Sequence, residues 1–316
     1  MKRMASLLLL TVFLLIAIIF LTALFEPGSD SKPAPNDKLT EILNRGYLVI
    51  ATDPASPPLS ELIPGVSDDP SSSCNPADYT KDALRGFDVA VGVAIAERLG
   101  VEPCFITPAW TRIVSGNWAD AWDISVGSMS ITSERMENLY FTRPYNAGPA
   151  LFFVATNSEE IQEPKDLSGR RIGVCAGCAQ EHYLNRDLVI PGEDIRFILE
   201  NVTPVAYNYE ALAFADLVIE RERRLDAVIA DAPMGILEIE AGTPIRALTT
   251  PAYYSYFSAS VDKRSKYDMV PFVKRVSECI REMHEDGTLH TLASQFLQED
   301  YTGTAADFDY DTIRQF

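Results

Sequence analysis

Positive charge is scarce in this chain. Its 316 residues carry 27 Lys and Arg against 45 Asp and Glu, for a formal net charge of −18. Nothing here would neutralise a phosphate backbone, which excludes a nucleic-acid partner. Histidine is scarcer still, at three residues (His182, His284 and His290), and no nucleophile–base pair can be assembled around them. Long apolar runs are missing except at the start, where Ala5–Phe25 spans 21 residues broken only by Ser6, Thr11 and Thr22. Lys2 and Arg3 precede that run, and a basic end before an apolar stretch marks export. It also lacks a small-x-small cleavage site, because Ala23-Leu24-Phe25 is bulky, and no nearby cysteine could take a lipid. At this length it suffices to cross a bilayer. The expectation is an uncleaved anchor over residues 1–25 with the rest of the chain outside; a removed signal peptide is the alternative. Residues 26–37 (EPGSDSKPAPND) have almost no apolar content and read as a semi-extended tether.

What remains is ample for a folded protein. An apolar fraction of 47% supports a core in each of two domains of ordinary size. Lys38–Arg45 reads as a short helix ended by Gly46, and Tyr47–Ala51 as a strand leading to Asp53. Ser60–Leu84 reads as a loop-like insertion. Phe87, Val91, Ile95 and Leu99 recur at helical spacing before Gly100, a core stripe with a C-cap. Val101–Thr107, Leu151–Thr156, Arg171–Val174 and Leu225–Ala230 read as further strands, Ala211–Val218 as a helix, and Met269 to Met283 as a second helical core stripe.

The centre of the chain is Trp122–Tyr145, WDISVGSMSITSERMENLYFTRPY. Trp122–Val126 is a short β-branched run that reads as a buried strand. Gly127, Ser128 and Ser130 follow as small residues at its carboxyl end, where open α/β sheets place ligands. Thr132 or Ser133 would cap a helix. Arg135 supplies a planar cationic fork suited to a carboxylate.

G-S-M-S-I-T-S-E-R followed by Y-F-T-R-P-Y resembles the signature of the family 3 solute-binding proteins, the polar amino-acid receptors of ABC importers. The register continues from about Leu39 to Phe296, through LDAVIAD and EDGTLHTLASQF. The resemblance implies an α/β fold of two lobes, a type II periplasmic binding protein (Venus flytrap). Its two hinge crossings fall near Tyr145–Pro149 and Ala252–Tyr256. One lobe takes residues 38–145 and 257–316, the other 149–252. It implies an extracytoplasmic protein that captures a small polar ligand, most simply an amino acid, and hands it to an ABC permease. Neither a cofactor nor a metal is called for. Arg135 would take the ligand carboxylate and Asp231 the α-amino group, with Ser128 and Ser130 from the first lobe and Cys178 and Ala179 from the second. Asp53 would contact the ligand side chain and Trp110 would supply an aromatic. The family's usual cation and Thr in the carboxylate loop are Cys175 and Cys178 here. Two other classes remain open: an enzyme on the same fold, resembling cyclohexadienyl dehydratase, and an accessory protein of an exported redox enzyme.

Five cysteines in an exported chain point to two disulfides and one thiol. The expected pairs are Cys74–Cys104 and Cys175–Cys178, leaving Cys279 buried. A redox role for the C-x-x-C at a helix start, or zinc held by Cys175, Cys178 and His182, are the competing readings.

Overall fold

Two long antiparallel strands run the length of the sheet: β8 (Leu139–Ala155) and β13 (Tyr253–Asp262), paired from Tyr253 with Ala150 to Asp262 with Leu139. This computed structural model describes residues 36–66, 72–75, 78–219 and 224–316. The anchor expected over 1–25 and most of the tether lie outside them; among the described residues no helix is long and apolar enough to cross a membrane. Residues 37–316 pack as one unit.

On one side of the long pair, β7 (Ile124–Ser130), β1 (Tyr47–Ala51) and β6 (Glu102–Ile106) follow in sheet order, β1 parallel to both neighbours. On the other side stand β11 (Ala227–Asp231), β9 (Arg171–Cys175) and β10 (Thr203–Tyr207), again parallel to one another. Each half is therefore a small parallel sheet with apolar strands buried on both faces. The chain enters the second half along β8 and returns to the first along β13. Two cores result. Ile50, Phe87, Phe105, Phe141 and Phe272 belong to one, and Phe152, Ile172, Val174, Tyr183 and Ile229 to the other.

Local chemistry sets the boundaries. The helix α1 (Lys38–Arg45) begins at Asp37, whose carboxylate accepts from the Leu39 and Thr40 amides, and Gly46 ends it in the left-handed conformation. Asp37, counted with the tether from sequence, is thus the first residue of the fold. The helix α2 (Phe87–Leu99) buries Phe87, Val91 and Ile95 completely, and Gly100 caps it.

Three sequence readings need correction. The Ser60–Leu84 segment is not simply a loop: β3 (Ser60–Leu62) lies between β2 (Ala55–Ser56) and β5 (Leu84–Arg85) in a small antiparallel sheet. The strand expected to stop at Val126 runs on to Ser130, because Met129 and Ser130 pair with Ser258 and Phe257 of β13. No helix starts at Thr132 or Ser133; the chain makes only a 3₁₀ turn, Arg135–Glu137.

A disulfide joins Cys74 to Cys104, with Cα atoms 5.5 Å apart, and ties the insertion to β6. Cys175 and Cys178 are bonded to each other, and Cys279 is a free, fully buried thiol.

Candidate functional site

Strand ends from both halves converge on one cleft. β7 delivers Gly127 and Ser128, the turn after β1 delivers Asp53, and the start of α3 (Trp110–Val114) delivers Trp110. From the other half come Cys175 and Cys178 at the end of β9, Asp231 at the end of β11, and Glu210 at the start of α5 (Glu210–Leu217), all lining a cavity of about 60 Å³. A larger space of about 540 Å³ opens beside Ser158, Val218 and Pro244, next to the undescribed residues 220–223. Its described lining offers one charged side chain, Asp226, and comes from one half of the molecule, so it has nothing with which to hold the halves together.

Ser128 occupies a strained position. Its φ is +46°, a left-handed conformation unusual for a residue other than glycine. Two contacts fix it: the backbone N–H donates to Tyr145 Oη at 2.7 Å, and Oγ donates to Asp88 Oδ1 at 2.9 Å. Tyr145 Oη donates in turn to Asp88 Oδ1 at 2.8 Å. Asp88 is fully enclosed, and burial pushes its carboxyl up to about 7 although Tyr145 and Ser128 pull the other way. Asp88 was read from sequence as part of a purely structural helix. Its signal was the one acidic residue in the first turn of an otherwise apolar segment.

Arg135 is buried, at 6% exposure. Nη1 donates to the Ser130 carbonyl and Nη2 to the Gly177 carbonyl, each at 2.9 Å, and the guanidinium lies 5.6 Å from the Trp110 ring centre. Burial lowers its pKa to about 10, opposed by the charges of Tyr253, Glu134 and Asp231. Gly177 belongs to the other half, so this contact closes the cleft. The two preceding residues reach across as well: the Ser133 amide donates to the Val189 carbonyl at 2.9 Å, and Glu134 lies 2.9 Å from His182 Nε2.

The remaining expected residues separate into two groups. Asp53, Trp110, Ser128, Cys178 and Asp231 line the cavity. Ser130, Arg135 and Ala179 stand behind it. Ser130 Oγ donates to Ser255 Oγ at 3.1 Å, and Ala179 is 1% exposed at the start of α4 (Ala179–Asn185). Asp53 also makes its own turn, accepting from the Ala55 amide at 3.1 Å and Ser56 Oγ at 3.3 Å. Burial raises its carboxyl above the usual range.

Polar atoms around the cleft are left over. Asp231 Oδ1, Gln180 Nε2, Trp110 Nε1 and Tyr253 Oη are buried without a hydrogen-bond partner of good geometry among the described residues. Buried polar groups are ordinarily paired, so four orphans around one cleft mark a place where a polar ligand belongs. Burial pushes Asp231 up to about 7, while the Gln180 amide and the Arg135 charge pull it down. Glu210 is pushed up to about 8, first by burial and then by the charges of Asp231 and Asp53. Sequence reading passed over Glu210, Gln180 and Tyr145. With both sulfurs of Cys175 and Cys178 in one disulfide, zinc held by them and His182 has no thiolates to use.

The sequence model of the bacterial extracellular solute-binding proteins, family 3, matches residues 70–299. The L-cystine-binding protein of Escherichia coli (strain K12) is 24% identical over 265 residues, 84% of this chain and 87% of that protein. The L-arginine-binding protein of Pseudomonas aeruginosa is 32% identical over 163 residues, 50% of this chain and 58% of its own length. The Escherichia coli (strain K12) lysine/arginine/ornithine-binding periplasmic protein is 25% identical over 225 residues, covering 69% and 82%. In fold, an ancestral amino acid-binding protein described as a precursor of cyclohexadienyl dehydratase superposes with a TM-score of 0.66 at 21% identity, over 82% of this chain and 99% of that one. A mutant of the arginine-binding protein of T. maritima gives 0.65 at 20% identity, over 83% and 99%. Both halves of the sheet fall within this two-lobed architecture.

Proposed function

The chain belongs to the bacterial extracellular solute-binding proteins of family 3, and from that premise we propose that it captures an α-amino acid between Arg135 and Asp231 and delivers it to an ABC importer. One lobe is residues 38–145 with 257–316 and the other is 149–252. One observation carries the reading. A buried cation from the first lobe and a carboxyl with an unpartnered oxygen from the second lie within electrostatic reach of each other across one cleft. A zwitterion presents the complementary pair of charges. Its carboxylate would take donors from Arg135, in place of the carbonyls that fork now holds, and its ammonium would satisfy Asp231 Oδ1. Trp110, Ser128, Asp53 and the Cys178–Ala179 turn complete the contacts.

Closure follows as a population shift. A ligand favours the closed state only by as much as it binds that state better than the open one. Contacts to both lobes supply that difference, in addition to Arg135–Gly177 and Ser133–Val189. Thermal denaturation in the presence of each of the twenty amino acids tests the proposal, since a ligand binding only the native state stabilises it by RT ln(1 + [L]/Kd). No shift with any of them would refute it.

Relatives named as periplasmic binding proteins support a place of work outside the cytoplasm. The apolar Ala5–Phe25 run would hold the protein at the membrane. Native material whose N-terminal sequence starts beyond residue 25 would show instead that the run is removed.

A second reading has one observation in its favour. A carboxyl held near 8, as Glu210 is, suits a general acid at neutral pH, and a structural neighbour is described as a precursor of cyclohexadienyl dehydratase. Prephenate-type substrates would, however, bring two carboxylates against a wall of carboxyl groups. Release of carbon dioxide from such a substrate would establish the enzyme reading.

A further inference from the structure

The cavity wall holds more acid than an α-amino acid with a neutral side chain can match. Asp53 and Asp88 face it from the first lobe, and Glu210 and Asp231 from the second. Neither lysine, arginine nor histidine lines it, and Arg135 lies behind the wall.

The four carboxyls are not equivalent. Asp88 is occupied by Tyr145 and Ser128. Asp231, beside the 2%-exposed Gln180 whose Nε2 is itself unpartnered, is assigned to the ligand ammonium. Asp53 keeps acceptor capacity beyond its turn contacts, because an ionised carboxylate has about four acceptor sites and two are used. Glu210 makes no hydrogen bond or ion pair among the described residues. It stands across the cleft from Asp53 and is close enough to feel that charge and the charge of Asp231.

Resting on the amino-acid reading above, we propose that Glu210 is a specificity-determining residue: together with Asp53 on the opposite lobe it pairs with a second positive charge at the distal end of the ligand, so that the cleft selects cationic amino acids. A ligand with a cationic side chain places one charge at Asp231 and another between Glu210 and Asp53, bonding both lobes at each end. A neutral side chain of the same shape leaves the second acidic pair without a counter-charge.

The empty and filled sites then differ in proton content. Burial and like charges hold Glu210 up to about 8, so near neutral pH it is mostly protonated when the cleft is empty. An adjacent cation favours the ionised form. Binding of a cationic ligand therefore releases a proton, and a neutral ligand releases none from this group.

Matched ligands provide the test. L-arginine and L-citrulline share shape and α-amino and α-carboxylate ends and differ in side-chain charge. Titration calorimetry on the full chain near pH 7, in two buffers of different ionisation enthalpy, is expected to give L-arginine an affinity at least about thirtyfold above L-citrulline, the range of one or two charge-assisted hydrogen bonds. The L-arginine enthalpy should change between buffers. Glu210→Gln should remove most of that preference while L-citrulline affinity moves by less than about threefold. Equal affinity for the two ligands, or a preference untouched in Glu210→Gln, overturns the proposal. If a neutral amino acid binds tightly and the cationic ones do not, this inference falls and amino-acid capture stands. If none binds, both fall.

Discussion

Arg135 Nη2 donates to the carbonyl of Gly177 at 2.9 Å, joining the loop after β7 to the loop after β9 across the cleft. The same guanidinium holds Ser130 through Nη1. It is thus both a closure contact and the cation assigned to the ligand carboxylate. Arg135→Lys should fail nearly as badly as Arg135→Ala, because a point charge cannot reproduce a planar fork. Small-angle scattering of both variants should report a more open molecule than wild type under the same conditions. Unchanged scattering would show that Arg135 does not hold the lobes together.

The two disulfides should behave differently. Cys74 and Cys104 are 30 residues apart, and opening a loop of that size costs about 2–4 kcal/mol. Cys175 and Cys178 are three apart, so their bridge constrains little of the unfolded chain. Serine at both positions of the short pair should cost at most about 2 kcal/mol in urea unfolding yet weaken ligand binding, since it loosens the turn that carries Gly177 and Cys178. Affinity unchanged by that double substitution would remove the short bridge from the site.

Asp88 predicts a pH dependence of stability. Its carboxyl is raised in the folded state to about 7 from an ordinary 3.8. Below pH 4 the group is protonated in both states and contributes nothing. Between pH 4 and 7 the unfolded state ionises while the folded state resists, so stability falls as pH rises, by at most on the order of 4 kcal/mol from this group. Asp231 and Glu210 act in the same direction while the cleft is empty. Asp88→Asn should flatten the loss between pH 4.5 and 7.5, measured by urea midpoints. An unchanged slope would mean that Asp88 ionises freely in the native protein.

Gly235 gives a test of packing. A Cβ built there would come 2.1 Å from the Phe153 ring, and Phe153 is fully buried. Gly235→Ala should cost about 1–3 kcal/mol through overpacking, seen as a lower melting temperature. A neutral result would show that Phe153 can turn aside.

Elements with local causes were readable from the sequence. Asp37 and Gly46 are chemical stops around α1, and the stripe from Phe87 to Leu99 has one period. Arg135 and Asp231 stood out because each ends a motif. The end of β7 was misjudged because small residues look like a strand's finish, yet β13, more than a hundred residues later, supplies their pairing. Glu210 escaped for a similar reason. In YNYEALAFADL it is an ordinary first-turn acid, and only the closing of two lobes sets it against Asp53 and Asp231. A cleft made of separate strand ends has no period and no spacing to read.

The central claim is that one amino acid is held at its two charged ends by Arg135 and Asp231. Titration calorimetry on Arg135→Ala and Asp231→Ala, with whichever amino acid raises the melting temperature of the wild type, tests it most directly. Each variant should fold and lose about a hundredfold or more in affinity, the equivalent of about 3 kcal/mol. Affinity within about threefold of wild type in both, with folding intact, would contradict the account.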